Sequence, residues 1–210
     1  MYKLYYSPGA CSMAPHVILN EVGAKFELVN SAIQEGKTRT AEFLKINPRG
    51  QIPVLEDEGF IIREGAAIII HLLEKHNSPL LPQDGNERTA ALEWLMFCNA
   101  TLHPAYGRGF FLMRNVSDQA VKDQLLGITV DNINKLWEEV ENRLTKNEYL
   151  AGKNLTAADI LLAVIANWSR NFPKPINFGP KTKKLFKTVT ERPSYKKALE
   201  VEKVEYKAAA

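Results

Sequence analysis

The sequence predicts a small α/β domain followed by a larger all-α domain. Three observations carry that prediction. Up to about residue 75, short runs with strand periodicity alternate with runs of helical periodicity. The stretch Asn77-Ser78-Pro79-Leu80-Leu81-Pro82-Gln83-Asp84-Gly85 then breaks the pattern with turn formers. Beyond it the strand signal disappears and only helical patterns follow. The division is drawn at residues 1–78 and 87–210, with 79–86 as a linker. A chain of 210 residues is long enough for two units, each with a core.

Residues 2–6, Tyr-Lys-Leu-Tyr-Tyr, alternate as a strand, and Ser7-Pro8-Gly9-Ala10 is a turn. Residues 13–22 read as a helix with Val17, Ile18 and Val22 on its apolar side and Gly23 as its stop. Pro15 is tolerated in a first turn, where its missing N–H costs nothing. Phe26 to Val29 is a second strand. A short helix, Glu42 to Ile46, ends at the turn Asn47-Pro48-Arg49-Gly50. Pro53-Val54-Leu55 and Phe60-Ile61-Ile62 form a hairpin across a polar turn. Glu64 to Lys75 returns to helical spacing with Ile69, Leu72 and Leu73. The strand–helix–strand opening predicts a parallel pair joined by a right-handed crossover. In the second half, residues 87–114, 118–144 and 156–170 read as helices, with shorter ones at 182–190 and 194–205. Pro104 is expected to kink the first of these.

Composition narrows the function. The chain carries 27 Lys+Arg against 24 Asp+Glu, a net charge of +3. Its clearest basic cluster, Lys181, Lys183, Lys184 and Lys187, shows neither interleaved exposed aromatics nor a known motif and reads as a solvated helix face, so no nucleic-acid partner is expected. No signal peptide is read at the N-terminus. The longest apolar run, Ile160 to Ala166, is far too short for a bilayer. Two cysteines make no disulfide framework. A soluble, cytoplasmic protein of a reducing compartment is expected. The four histidines and two cysteines show no metal spacing, so no metal is expected.

Chemistry-bearing residues gather in a few places. Ser7-Pro8-Gly9-Ala10-Cys11-Ser12 puts a thiol at the first turn of a helix, where backbone N–H groups and the helix dipole favour negative charge. The alternative is a small cysteine packing a turn. In Gly50-Gln51-Ile52-Pro53-Val54-Leu55 a proline opens a strand. If its peptide bond is cis, Ile52 can offer its backbone to an extended ligand; a trans proline on an edge strand is the plain alternative. Arg63-Glu64-Gly65 opens a helix with a carboxylate that either caps it or binds an ammonium group, beside a glycine that leaves room for close approach. Leu155-Thr156-Ala157-Ala158-Asp159-Ile160 reads as a capping box with a hydrophobic staple. His103, before Pro104, is either a packed histidine or one aimed into a cleft.

Together, in this order, these residues resemble the cytosolic glutathione S-transferases over essentially the whole chain. Leu4 to Ser12 is most similar to the bacterial beta class, which carries a cysteine where others use Tyr or Ser. Asn47 to Leu55, Glu64 to Ile68 and the Leu155–Asp159 box are similar family matches. The resemblance implies a thioredoxin-like N-terminal domain, a helical C-terminal bundle and a homodimer. It implies glutathione as co-substrate, hydrophobic electrophilic small molecules as partners, and a role in detoxification. It also implies roles: Cys11 beside the glutathione sulfur with Ala10 and Ser12, and Ile52 before a cis Pro53 pairing the cysteinyl backbone. Glu64 and Gly65 hold the γ-glutamyl end, and Lys37, or failing it Arg39, the glycyl carboxylate. His103 faces the site from the helical domain, and Met96, Ala100, Thr101 and Leu102 approach glutathione, some from a partner subunit. Met96, Thr101 and Pro104 depart from the residues common at those places.

The expected activity is activation of the glutathione thiol as thiolate for attack on electrophiles, with Cys11, Ser12 and His103 as catalytic candidates. Lowering a thiol from its ordinary ~8.5 to ~6.5 needs about 2.7 kcal/mol of preference for the anion. A helix N-terminus with one charge-assisted hydrogen bond suffices. Two alternatives remain: glutathione-dependent disulfide or peroxide reduction through Cys11, and a non-catalytic binding protein on the same fold. The electrophile pocket is expected near Tyr106, Phe110 and Trp168.

Overall fold

The computed structural model describes residues 1–209 and resolves into two units. The first comprises Met1–Gly85 and Thr190–Tyr206; the second comprises Asn86–Val189 and the tail from Lys207.

The first unit is the α/β half. Its elements are β1 (Tyr2–Tyr6), α1 (Met13–Glu21), β2 (Phe26–Asn30), α2 (Ala41–Ile46), β3 (Val54–Asp57), β4 (Phe60–Ile62) and α3 (Gly65–Lys75). The sheet order is β2-β1-β3-β4. β1 runs parallel to β2, with Leu4 opposite Leu28, and antiparallel to β3, with Leu4 opposite Leu55. β3 and β4 form the expected hairpin, with Leu55 opposite Ile62. Leu4, Val54 and Leu55 are fully buried, as are Val17, Ile18 and Leu19 of α1 and Ile68 and Leu72 of α3. This is the thioredoxin-like arrangement that the resemblance implies.

Every residue of α1 from Met13 to Leu19 is buried. A helix that is apolar all round needs cover beyond a sheet. The second cover is the last helix, Pro193–Glu202, which buries Tyr195, Ala198 and Glu202 and packs against α1. Arg192 also holds Glu21 through two bonds of 2.6 and 2.7 Å. The sequence division placed this segment with residues 87–210; the structure groups it with the first unit. Local periodicity shows that a helix exists and carries no record of which unit it covers.

The second unit is all-helical: α4 (Gly85–Met96), α5 (His103–Asn115), α6 (Gln119–Lys146), α7 (Ala157–Ala166) and α8 (Pro180–Thr190). The C-terminal helix Pro193–Glu202 is then α9. The continuous helix expected over 87–114 is interrupted by a π-helical turn, Phe97–Leu102. That turn puts Pro104 in the first turn of α5, where no backbone N–H is required of it. All ten residues of α7 are buried. Trp137, Tyr106 and Phe186 are also fully buried in this unit, the last with its ring 5.6 Å from Trp137. Gly109 is required by packing, since a Cβ there would sit 2.3 Å from the Phe172 ring.

The predicted capping box of Thr156 and Asp159 is present at the start of α7. The fully buried Asp159 carboxylate accepts from the N–H of Thr156 at 2.8 Å, from the Thr156 hydroxyl at 3.2 Å, and from the N–H of Leu150 at 2.9 Å. Burial nevertheless raises its pKa to about 6. Among the described residues no helix is long and apolar enough to cross a membrane.

Candidate functional site

The turn between β1 and α1 is held tightly. The buried Ser12 hydroxyl accepts from the Ser7 N–H at 3.1 Å and donates to the Ser7 carbonyl at 3.2 Å. Gly9 sits at φ +68°, a region that favours glycine. Its N–H donates at 2.8 Å to Glu202 of α9, whose other carboxylate oxygen lies 2.8 Å from Nδ1 of the buried His16. The loop is thus anchored by a residue nearly two hundred positions away in the chain.

Cys11 emerges from this turn half-buried, against the apolar cluster of Phe43, Ile52 and Val54. Ala10 packs on the same cluster. The Cys11 thiol donates to the Ile52 carbonyl at 3.6 Å. Burial pushes the thiol up to about 12; the N–H groups of Cys11 and Ser12 pull against that, and the nearby Glu64 charge adds to it. The donors are where the turn predicts them, but the apolar wall outweighs them. Ser12 contributes its N–H to the sulfur, since its hydroxyl is committed to Ser7.

Ile52 and Pro53 are joined by a cis peptide bond. β3 begins only at Val54, so Ile52 lies outside the ladder. Asn47 fixes the approach to it, donating from Nδ2 to the Gln51 carbonyl at 2.7 Å and accepting the Arg49 N–H at 3.2 Å. Glu64 occupies the N-cap position of α3 without capping it, and Gly65 is the first helical residue. The Glu64 carboxylate instead accepts from Arg49 at 2.7 Å. Cys11, Ile52 and Glu64 are therefore brought together, through the thiol–carbonyl contact and the Glu64 charge felt at the sulfur.

Lys37 lies in a short 3₁₀ turn, half-buried and paired with Glu35 at 2.6 Å. Arg39 reaches the Arg49 carbonyl at 3.4 Å and lies over Gly50. Arg49 lies within the Asn-Pro-Arg-Gly turn and carries no functional signal in the sequence. Its pairing with Glu64 spans fifteen residues and leaves no local signal. The Glu202–His16 anchor was missed for the same reason.

In the second unit Met96 ends α4, and Ala100 and Thr101 are exposed on the π-helical turn. His103 packs edge-on to Trp168 with ring centres 4.9 Å apart. Burial lowers its pKa, so it is neutral at physiological pH. Phe110 is half-buried against Trp168 and Phe172. Tyr106, expected at a pocket wall, is core. It is fully buried, with its hydroxyl accepting from the Trp137 indole at 2.8 Å and 2.6 Å from the Ser169 hydroxyl. Among the described residues no group of three or more His, Cys, Asp or Glu is placed to hold a metal.

Two family models match the chain: "Glutathione S-transferase, N-terminal domain" over residues 1–74 and "Glutathione S-transferase, C-terminal domain" over residues 97–193. Glutathione S-transferase GstA of Escherichia coli O157:H7 is 28% identical over 205 residues, covering 95% of this chain and 98% of that protein. Glutathione S-transferase 3 of Zea mays is 30% identical over 208 residues, covering 95% and 92%. A sphingomonad glutathione S-transferase solved with glutathione superposes with a TM-score of 0.83 at 28% identity, covering 97% of this chain and all of that one.

Proposed function

The chain belongs to the glutathione S-transferase family, and from that premise we propose how its own residues perform the transfer of the glutathione sulfur to electrophiles. The protein is a glutathione transferase. The observation that carries the mechanism is the placement of the Cys11 thiol between the N–H groups of the α1 start and the Ile52 carbonyl. Glutathione lies along Ile52, pairing its cysteinyl backbone with that residue ahead of Pro53. Its γ-glutamyl end meets Glu64 and Gly65, with Arg49 orienting the Glu64 carboxylate. Its glycyl carboxylate is assigned to Lys37.

With its thiol held protonated by burial, Cys11 acts as a donor. It turns from the Ile52 carbonyl to the incoming glutathione sulfur, and with the N–H of Ser12 favours that sulfur as a thiolate. The thiolate attacks an electrophilic carbon of a hydrophobic small molecule, and the leaving group departs with its electron pair. His103, kept neutral, is the candidate to take or give the proton. Met96, Ala100 and Thr101 are retained as contacts to glutathione on the strength of the family resemblance. Assignment to the beta class rests on Cys11 in its turn. Homodimerisation, a cytoplasmic location, a detoxifying role and the functional division at residues 79–86 belong to the same reading.

Mixing the purified protein with glutathione and 1-chloro-2,4-dinitrobenzene tests this directly. Formation of the thioether, with a fall of about ten-fold or more in kcat/KM for Cys11→Ala, is expected. Full conjugation by Cys11→Ala refutes the donor role. Absence of both turnover and glutathione binding refutes the transferase reading.

A further inference from the structure

Arg49 and Glu64 form a charge pair that folding hardly needs. The guanidinium donates to the carboxylate at 2.7 Å, and the two side chains are 52% and 61% exposed. An ion pair so open to water adds little to stability. Neither partner is spent elsewhere. Glu64 stands at the N-cap of α3 and makes no side-chain cap. A guanidinium carries five N–H donors, and among the described residues the Arg49 side chain bonds only to Glu64.

The backbone that carries the pair is fixed. The Arg49 N–H donates to the buried Asn47 side chain at 3.2 Å, and its carbonyl accepts from Arg39 at 3.4 Å. The Gly50 N–H closes the turn on the Asn47 carbonyl at 2.9 Å. The Glu64 carbonyl accepts the Ile68 N–H at 2.9 Å at the start of α3. A charge pair presented by ordered backbone loses little entropy when a ligand meets it. The neighbouring cations are committed: Arg63 donates to the Ile46 carbonyl at 2.9 Å, and Lys37 pairs with Glu35.

A plus and a minus side by side match a ligand group that carries both charges on one carbon. Glutathione has one such group, the α-ammonium and α-carboxylate of its γ-glutamyl residue; its glycyl end has a carboxylate alone. With the γ-glutamyl end placed at Glu64, the ammonium meets that carboxylate. The α-carboxylate then faces the open donors of Arg49, whose planar fork suits it. We propose that Arg49 is a substrate-binding residue that recognises the γ-glutamyl α-carboxylate, an assignment that rests on the placement of glutathione along Ile52 and Glu64.

Three thiols test it in conjugation of 1-chloro-2,4-dinitrobenzene: glutathione, 4-aminobutyryl-cysteinylglycine, which lacks the α-carboxylate, and glutaryl-cysteinylglycine, which lacks the α-ammonium. In the parent each analogue should show a KM about five-fold or more above that of glutathione. Arg49→Ala should raise KM about five-fold for glutathione and for the glutaryl analogue, and less than about two-fold for the aminobutyryl analogue, with kcat nearly unchanged. Arg49→Lys, which keeps the charge and loses the fork, should recover part of the loss. Glu64→Gln should give the mirror pattern, raising KM for glutathione and the aminobutyryl analogue and sparing the glutaryl one. If Arg49→Ala harms the aminobutyryl analogue as much as glutathione, Arg49 acts only through Glu64 or the turn, and the assignment is overturned. A parent that conjugates glutathione, with an Arg49→Ala KM equal to its own, overturns this assignment alone. A parent that neither conjugates nor binds glutathione overturns the transferase reading and the assignment with it.

Discussion

Replacing Glu202 by alanine should loosen both the first unit and the loop that carries Cys11. Glu202 is 3% exposed, and its two oxygens serve Gly9 N–H and His16 Nδ1, each at 2.8 Å. Truncation takes the acceptor away from both while His16, 1% exposed, stays buried. Each buried donor left short of a partner costs about 1–3 kcal/mol. Two such donors together make about 2–6 kcal/mol. For a chain of this size each kcal/mol lowers Tm by roughly 2–4 °C. The expected fall is therefore about 4–24 °C in a thermal melt followed by circular dichroism. The Ser7–Ser12 bonds survive in the variant, so the turn persists but is less well fixed, and kcat/KM for glutathione conjugation should drop about ten-fold. Glu202→Gln, which keeps one carbonyl acceptor, should fall between the two. His16→Ala/Glu202→Ala should cost less than the sum of the single changes, because the second removal relieves a group the first left short. A Glu202→Ala protein that melts within about 2 °C of the parent and conjugates at the same rate refutes the anchor.

At pH 7.5 a thiol at about 12 is ionised in roughly three molecules per hundred thousand, against about a tenth for a free thiol near 8.5. After allowance for the higher nucleophilicity of the more basic thiolate, iodoacetamide should modify Cys11 roughly 100-fold more slowly than free glutathione, and equal rates by mass spectrometry would contradict the burial argument. For Asp159 the folded pKa of about 6 lies above the unfolded ~3.9. The stability this shift contributes is therefore present below about pH 4 and is lost as pH rises through 6. Asp159→Ala removes the acceptor of two buried N–H groups and should cost about 3–5 kcal/mol near pH 5 and less at pH 8, as urea unfolding at the two pH values will show; a larger cost at pH 8 contradicts the sign. Gly109→Ala places a methyl 2.3 Å from the Phe172 ring and should destabilise by about 1–3 kcal/mol, measured in the same way. Arg49→Ala frees Glu64 from its 2.7 Å pairing and should raise KM for glutathione several-fold with kcat nearly unchanged; an unchanged KM removes Arg49 from the site.

What the sequence made legible was what short-range pattern encodes. The alternation of residues 2–6, the stop at Gly23 and the turn at Asn47–Gly50 each place an element boundary within a few residues of its observed position. The parallel β1–β2 pair followed from the strand–helix–strand order. The turn before α1 and the stretch before Pro53 were visible as motifs because backbone donors and acceptors need particular residues at fixed spacing. Long-range facts were not visible. Nothing local to Glu202 points to Gly9, and nothing local to residues 193–202 says that they cover α1. Tyr106 looks from sequence like a pocket aromatic, and only the position of Trp137 shows that its hydroxyl serves the core. The π-helical turn at 97–102 was hidden because Pro104 signals a disturbance without giving its form.

The protonation of Cys11 belongs with these long-range facts, and it bears on which chemistry this chain favours. The helix start supplies the same donors whether the anion beside it is the Cys11 sulfur or the glutathione sulfur. What decides between them is dehydration. Cys11 rests against Phe43, Ile52 and Val54, which offer nothing to an anion, and its proton is already directed to the Ile52 carbonyl. A glutathione sulfur arriving at that place brings a thiol of ordinary acidity to two donors, an N–H and an S–H, so the second sulfur ionises more readily than the first. Covalent chemistry through Cys11 needs the reverse order, with Cys11 as the attacking thiolate. The apolar wall thus favours conjugation over disulfide exchange. Replacing part of it with a polar side chain, as in Val54→Thr, should shift the balance: Cys11 alkylation at pH 7.5 should accelerate while conjugation holds or falls. If the alkylation rate does not move, or if conjugation accelerates with it, the wall is not what keeps Cys11 protonated.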